Sequence, residues 1–252
     1  MERRKFLLYY VGHCGTDRII RRLVSLCLSP TLFQAIRRVP RDTQFSVLGI
    51  GSSKVTLLCA VARPNGGMRG GAIVDLEAVV DAVVEALDMF RDRADLPVRE
   101  VFIGISGRHV QATKSTGMVT LRSGEVTHDD VQRVLQTATA GCHLTDQQIL
   151  HVLPQEFAID KQLSVSQPVG MTGTRLDVRA HVVSVSVSAA QNLLKCARRC
   201  GLEPVGMVLH ALASSNAVLS PDAREMGACA IDIGGGTTDA IVSGDNTVHY
   251  SL

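Results

Sequence analysis

The chain has 252 residues, a formal net charge of +2, 46% hydrophobic residues and 20% charged residues, which excludes a chain that is disordered along its whole length. No apolar run approaches the roughly 20 residues that a membrane-spanning helix needs, so a polytopic membrane protein is excluded as well. Seven scattered cysteines form no disulfide framework and indicate a reducing compartment, and 4% aromatic residues make nucleic-acid binding through base stacking unexpected.

Residues 1–43 differ from the rest of the chain in charge. They hold nine Lys and Arg against three acidic residues, or +6, which leaves −4 for the other 209 residues. The apolar spacing predicts a helix over residues 18–28 and a second short helix that starts around Pro30. Such a basic amphipathic segment can lie on an anionic membrane surface. A partly disordered extension or a mispredicted start codon explains the same residues, whereas a secretion signal is disfavoured because no small-residue cleavage pattern follows.

From Phe45 onward the chain alternates strand and helix patterns, which predicts an α/β fold. Strands are predicted over residues 45–50, 55–61, 98–105, 118–121, 149–152, 156–159, 176–187, 205–209, 228–233 and 240–242. Asp75 is placed to cap one helix, Thr127 another, and Ser188 a third that ends at Gly201. A further helix is predicted near residues 211–219, and residues 161–175 are predicted to be a loop.

Two turns rich in glycine and hydroxyl groups stand at strand ends, Gly51-Ser52-Ser53-Lys54 and Asp232–Asp239. Glycines let backbone N–H groups approach a ligand closely and hydroxyls add donors, so such turns form concavities that bind phosphate. The first turn alone is typical of any hairpin. In the second, an acid, three glycines, two threonines and another acid end a buried strand, which indicates that backbone meets a ligand there. Asp232 can also coordinate Mg²⁺ through water. Neither turn is a Walker loop.

Two phosphate hairpins about 180 residues apart are the signature of the actin-like ATPase fold, and the sequence between them resembles the FtsA family of bacterial cell-division proteins. The resemblance is carried by residues 48–55, 69–71 with 75–77, 105–109, 125–127, 151–160, 168–173, 199–202, 212–215 and 232–239. The second hairpin alone also resembles MreB-like and pilus-assembly proteins. Residues 151–160 together with 168–173 point much more narrowly to FtsA.

The resemblance implies an actin-like (ribonuclease H-like) ATPase fold, truncated, with an FtsA-type inserted α+β subdomain. Residues 44–97 and 176–205 are expected to form the first actin-like subdomain, and residues 98–175 the inserted subdomain. Residues 206–252 are expected to begin a second, incomplete actin-like domain. Residues 1–43 match nothing in the family.

In function, the resemblance implies an ATP-binding protein that links FtsZ filaments to the membrane and recruits later division proteins. Residues 98–175 are expected to serve self-association and contacts with those proteins. We expect a cytoplasmic protein, peripheral on the inner face of the cell membrane at the division site, with no nucleic-acid partner. The subdomain that docks FtsZ and the amphipathic membrane helix are expected to lie outside this chain.

The resemblance also assigns a nucleotide site for ATP and Mg²⁺. The expected cofactor-binding residues are Gly51, Ser52, Ser53 and Lys54 in the first turn and Gly234, Gly235, Gly236, Thr237 and Thr238 in the second. Asp232 is the expected metal residue. The family usually has an acid two residues before the first-turn glycine, and here that residue is Gly49. Losing this carboxylate weakens the Mg²⁺ site, so weak ATPase activity at most is expected.

Two alternatives stay open at this point. The first is an interaction module that folds around residues 44–205 and binds no nucleotide, a hypothesis motivated by Gly49 and by the incomplete second domain. The second is another actin-fold ATPase, such as a pilus-assembly protein or a sugar kinase, although no substrate motif for these is found.

Overall fold

The structure is a computed structural model that describes residues 7–11, 46–50, 54–57, 61–94, 98–142, 145–160 and 162–251. The helices predicted over 18–28 and around Pro30 lie outside these residues. In chain order the strands are β1 Leu7–Val11, β2 Ser46–Ile50, β3 Lys54–Leu57, β4 Val61–Pro64, β5 Met68–Arg69, β6 Ala72–Ile73, β7 Glu100–Ile105, β8 Val110–Thr120, β9 Gln147–Ile159, β10 Gln162–Val165, β11 Arg175–Ser186, β12 Glu203–Leu209, β13 Ala228–Ile233, β14 Thr238–Gly244 and β15 Thr247–Ser251. The helices are α1 Leu76–Ala94, α2 His128–Ala140, α3 Val187–Arg199, α4 His210–Val218 and α5 Pro221–Met226.

The first sheet has the strand order β12-β7-β2-β3-β4. β2, β3 and β4 form an antiparallel meander, and β7 and β12 run parallel to β2. Helices α1 and α3 pack on this sheet and share one apolar core with it, in which Val83, Ile103 and Leu193 are at most 3% exposed. Asp75 caps α1 as predicted, because its Oδ1 accepts the Ala78 backbone N–H at 3.1 Å.

The second sheet has the order β10-β9-β11-β8, and its neighbouring strands are antiparallel. Helix α2 covers one face, where Val134 and Ala138 are fully buried against Leu176. Thr127 caps this helix as predicted: its side chain accepts the Asp130 N–H at 3.2 Å, and the Asp130 carboxylate accepts the Thr127 N–H at 3.1 Å. This reciprocal pair satisfies two backbone donors that a helix end leaves open.

The third sheet has the order β1-β13-β14-β15. β13, β14 and β15 are antiparallel neighbours, and β1 pairs in parallel with the outer side of β13. Helices α4 and α5 contact this sheet, and Ile241 is fully buried in the core beneath α4. No helix in the described part of the chain is both long enough and apolar enough to cross a membrane.

The sheet order differs from the expected boundaries of the inserted subdomain. β7 lies within the expected range of residues 98–175 but belongs to the first sheet, and β11 lies mostly outside that range but belongs to the second sheet. Both strands are buried on at least one face, and periodicity reports burial rather than the sheet to which a strand belongs. The second sheet with α2 therefore spans residues 110–186.

Several local elements also differ from the predictions, and one of them is β8, which begins at Val110 although a strand was predicted only over residues 118–121. The two strands predicted on either side of Pro154 form one strand, β9; Pro154 pairs with Ala180 and Glu156 with Arg179, so the register shift falls directly beside the proline. β10 occupies part of the predicted loop over residues 161–175. Helix α3 begins at Val187 with Ser186 as its N-cap residue, so Ser188 lies inside the helix and pairs with the Ser186 hydroxyl at 2.9 Å.

Candidate functional site

The second predicted turn connects β13 to β14 and is open to solvent. Asp232 pairs with Asp239 and Ile233 with Thr238 across this hairpin. The Gly234 N–H donates to the Thr237 carbonyl at 2.9 Å, which closes the turn. Gly234, Gly235 and Gly236 are exposed. A ligand can therefore approach the backbone of the turn without displacing a side chain.

The first predicted turn lies mostly outside the described residues, which include neither Gly51 nor Ser52 nor Ser53. The strands on both sides are described, and Ile50 pairs with Val55 in an antiparallel register. Lys54 is the first residue of β3. The hairpin expected around the first turn is thus present, and the roles of its four predicted site residues stay predictions.

Asp232 lies at the end of β13 with its carboxylate already bonded. Ser214 donates its hydroxyl to Asp232 Oδ2 at 2.6 Å, and His210 Nδ1 lies 3.1 Å from the same oxygen. The Asp232 side chain is 14% exposed. His210 and Ser214 come from α4, which follows β12, so this helix orients the acid at the end of the neighbouring sheet. Sequence reasoning missed both residues, because nothing in their spacing points toward β13.

Asp239 faces Asp232 across the hairpin and is 7% exposed. The pKa of Asp239 is raised above its ordinary value, chiefly because the carboxyl group is buried. The nearby His210 and a hydrogen bond from Thr237 oppose this rise, and the charge of Asp232 adds to it. Two carboxyl groups so close to one histidine make this end of the sheet acidic, which suits a hydrated cation better than a bare phosphate.

The carboxyl ends of three parallel strands meet beside this hairpin. Gly49 pairs with Gly104, and Leu209 with Ile105, so β2, β7 and β12 end at the same level. A Cβ atom on Gly104 would lie 3.3 Å from the His210 ring, so His210 lies over the residue next to Gly49. The ring thus stands close to Gly49 at the carboxyl end of β2.

The residues available for Mg²⁺ fit a site that is completed by water and phosphate. In the described ranges, no group of three or more His, Cys, Asp or Glu residues is arranged to hold a metal ion. Mg²⁺ commonly keeps several waters and takes one or two carboxylates together with substrate phosphates. A single partly exposed carboxylate such as Asp232 meets that requirement through water, although Ser214 and His210 already occupy one of its oxygens.

Two cavities in the described part of the chain lie away from this hairpin. One of about 580 Å³ lies on the second sheet beside Arg175 and Arg179. Another of about 230 Å³ lies between the β5–β6 ribbon and the first turns of α3, lined by His109 and Asn192 among others. Neither includes a residue of the Asp232–Asp239 turn, whose three glycines are exposed on the surface.

Comparisons with known proteins agree with the geometry. Residues 107–184 match the family described as the SHS2 domain inserted in FTSA. The chain is 38% identical over 216 residues to the cell division protein FtsA of Pseudomonas aeruginosa, covering 86% of this chain and 49% of that protein. It is 37% identical over 212 residues to FtsA of Escherichia coli, covering 84% of this chain and 48% of that protein. The chain is FtsA-like. The resemblance seen in the sequence is thereby confirmed.

The FtsA-like chain has the actin-like ATPase fold that was expected. The solved PilM-PilN type IV pilus biogenesis complex superposes with a TM-score of 0.55 at 20% identity, covering 84% of this chain and 61% of the other, which is a likeness of fold alone. The matched SHS2 segment agrees closely with the second sheet and α2. The FtsA-like chain spans about half the length of the curated relatives it matches.

Proposed function

We propose that this division protein of the FtsA type binds ATP with Mg²⁺ between its two glycine turns. The observation that carries the proposal is the presence, in one chain, of the SHS2 segment over residues 107–184 and of the exposed glycine turn that follows Asp232. The exposed Gly235 and Gly236 can offer their backbone N–H groups to a phosphate, whereas the Gly234 N–H closes the turn, and the hydroxyls of Thr237 and Thr238 add further donors.

In this proposal Asp232 holds Mg²⁺ through water, and hydrolysis is weak at most. Gly49 removes the carboxylate that the family usually places beside the first turn, and His210 lies next to that position. Without a second carboxylate aimed at the reacting phosphate, fewer groups orient the metal and the attacking water. ATP then acts mainly as a ligand that stabilises one arrangement of the fold.

In the cell, the whole protein is proposed to link FtsZ filaments to the inner face of the membrane at the division site. The second sheet with α2 is the proposed surface for self-association and for later division proteins. Depletion of the protein should block septation and give filamentous cells, and a depleted culture that divides normally would contradict this role. Neighbouring cell-wall and division genes would support it, whereas pilus genes would favour a pilus-assembly function.

Nucleotide binding is tested by calorimetric titration of the full chain with ATP, with and without Mg²⁺. We expect micromolar or tighter binding that Mg²⁺ strengthens. Gly235→Val places a branched side chain on the turn and should weaken ATP binding at least about tenfold, since backbone can no longer approach the phosphate. Gly66→Ala is the matched control, because that glycine is exposed and a Cβ there meets nothing within 4 Å.

A second candidate function is an interaction module that binds no nucleotide, and Gly49 is the observation that favours it. The same titration separates the two. Absence of ATP binding by the folded chain at millimolar ATP would support the module, whereas binding that Gly235→Val weakens at least about tenfold and Gly66→Ala preserves would exclude it.

A further inference from the structure

Ser106 is the first residue after β7 and lies at the carboxyl edge of the first sheet, close to the second turn. β2 and β7 are parallel neighbours with Gly49 opposite Gly104, so Ser106 lies just beyond the level of Ile50, the last residue of β2. Neighbouring strands are separated by about 4.8 Å, which places the Ser106 backbone beside the end of β2. Ligands in sheets of this kind bind beyond the carboxyl ends of the parallel strands.

The same residue reaches the second turn through its side chain. Ser106 Oγ lies 3.5 Å from Thr237 Oγ1, a contact between residues that are 131 positions apart in the sequence. Thr237 is the residue whose carbonyl closes the glycine turn by accepting the Gly234 N–H. Ser106 is thus beside the end of β2 through strand register and beside the second turn through this pair of hydroxyls.

The backbone of Ser106 is held in place by a glycine contact. A Cβ atom on Gly71 would lie 2.1 Å from the Ser106 carbonyl oxygen, and one on Gly107 would lie 2.5 Å from the Gly70 carbonyl oxygen. Gly71 and Gly107 also have φ angles of +82° and +114°, which other residues rarely adopt. The segment after β7 therefore packs tightly against the β5–β6 ribbon, and the Ser106 hydroxyl is presented from a fixed position.

We propose that Ser106 is a further phosphate-binding element of the site, and that its hydroxyl donates to the polyphosphate of a bound nucleoside triphosphate beside the second turn. This inference rests on the proposed function and adds a residue that neither turn contains. A phosphate bound at the second turn lies within reach of the hydroxyl, since Ser106 Oγ contacts Thr237 of that turn. The hydroxyl of Thr237 is its partner in this structure, and the ligand would take over that bond.

The test is calorimetric titration of the full chain with Mg·ATP and with Mg·pyrophosphate, using Ser106→Ala, Ser106→Thr and the control Ser123→Ala. Ser123 is an exposed loop serine of the second sheet's subdomain, bonded only locally to the Glu125 carbonyl at 2.8 Å. Loss of a hydroxyl that donates to a charged group should weaken both ligands about tenfold in Ser106→Ala. Ser106→Thr, which keeps the hydroxyl, and Ser123→Ala should stay within about twofold to threefold of the parent chain.

A structural role and a failed premise give different results. If Ser106→Ala binds both ligands as tightly as the parent, the inference is overturned while the proposed function stands. If Ser106→Ala lowers the melting temperature of the unliganded chain and Ser106→Thr fails to restore binding, the residue shapes the loop and does not contact phosphate. If the parent chain binds neither ligand, the proposed function fails, and the role of Ser106 fails with it.

Discussion

Helix α2 packs closely against Gly117 of β8 in the second sheet, and the substitution Gly117→Ala tests how close this packing is. A Cβ atom at this position would lie 2.2 Å from the Val134 carbonyl oxygen, 2.7 Å from the Ala138 nitrogen and 3.1 Å from the Ala138 Cβ. Two of these atoms belong to the helix backbone and cannot rotate away. The added methyl group could be accommodated only if α2 moved off β8 by a substantial fraction of an ångström.

The expected cost follows from that displacement. Val134 and Ala138 are fully buried between α2 and the sheet, so moving the helix loosens the packing of this core. Overpacking of a well-packed core costs about 1–3 kcal/mol, and in a chain of this size 1 kcal/mol corresponds to about 2–4 °C in melting temperature. A Gly-to-Ala change without a clash would instead stabilise the chain by about 0.4–1 kcal/mol, so the sign of the effect is diagnostic.

The assay is urea unfolding followed by circular dichroism, with Gly66→Ala as the control. Gly66 is exposed and has open space where a Cβ would stand, so its substitution should leave the unfolding midpoint unchanged or raise it slightly. Gly117→Ala should lower the midpoint without changing the dependence on urea. A Gly117→Ala chain as stable as the control would show that α2 does not pack on β8 as described.

Three further predictions are checked by the same unfolding assay. Thr127→Ala removes the cap of α2 and should cost about 1 kcal/mol, which Thr127→Ser should largely recover. Ile103→Val removes one methyl group from a fully buried side chain and should cost about 1 kcal/mol, whereas the exposed Val74→Ala should change little. Burial lowers the pKa of His151 from 6.5 to about 4, so its contribution to stability is complete above pH 6.5 and is lost as the pH falls toward 4. The loss should reach about 3 kcal/mol, and His151→Gln, which can still accept the Leu209 N–H, should remove this pH dependence; an unchanged pH profile in that variant would contradict the assignment.

Local chemistry made the helix starts predictable. Asp75 and Thr127 each precede an amphipathic run, and each forms the cap that its short polar side chain is suited to form. The N-cap predicted at Ser188 is wrong by two residues, because Ser186 and Ser188 are chemically equal candidates. β11 ends at Ser186, whose N–H donates to the His109 carbonyl, and the helix starts from there. A capping pattern in the sequence predicts the type of residue that precedes a helix. The hydrogen bonds of the preceding strand determine at which of several such residues the helix begins.

Pairing between strands that are distant in the sequence determines which side chains surround the glycine turn, and the sequence alone does not predict them. The glycine turn after Asp232 could be located from its composition, but the groups that bond Asp232 come from α4, and Ser106 comes from the end of β7. These residues are brought together by strand register, which a single sequence does not encode in any local pattern. The two turns of the site could therefore be predicted from the sequence, whereas the surrounding side chains of Ser106, His210 and Ser214 could not.

The second sheet and α2, which agree with the matched SHS2 segment, are joined directly to the elements that form the site. The buried His151 of β9 accepts the N–H of Leu209, the last residue of β12, at 3.0 Å, and the next residue is His210, which contacts Asp232. Gln155 donates to the Val248 carbonyl at 2.6 Å, and the buried His181 pairs with the Ser251 hydroxyl at 2.8 Å, so β15 is bonded to the same sheet. Because buried polar groups lose several interactions at once when a partner leaves, the third sheet cannot shift against the second without breaking these bonds. A ligand that repositions the Asp232–Asp239 hairpin must therefore either carry the second sheet with it or supply enough binding energy to separate the two.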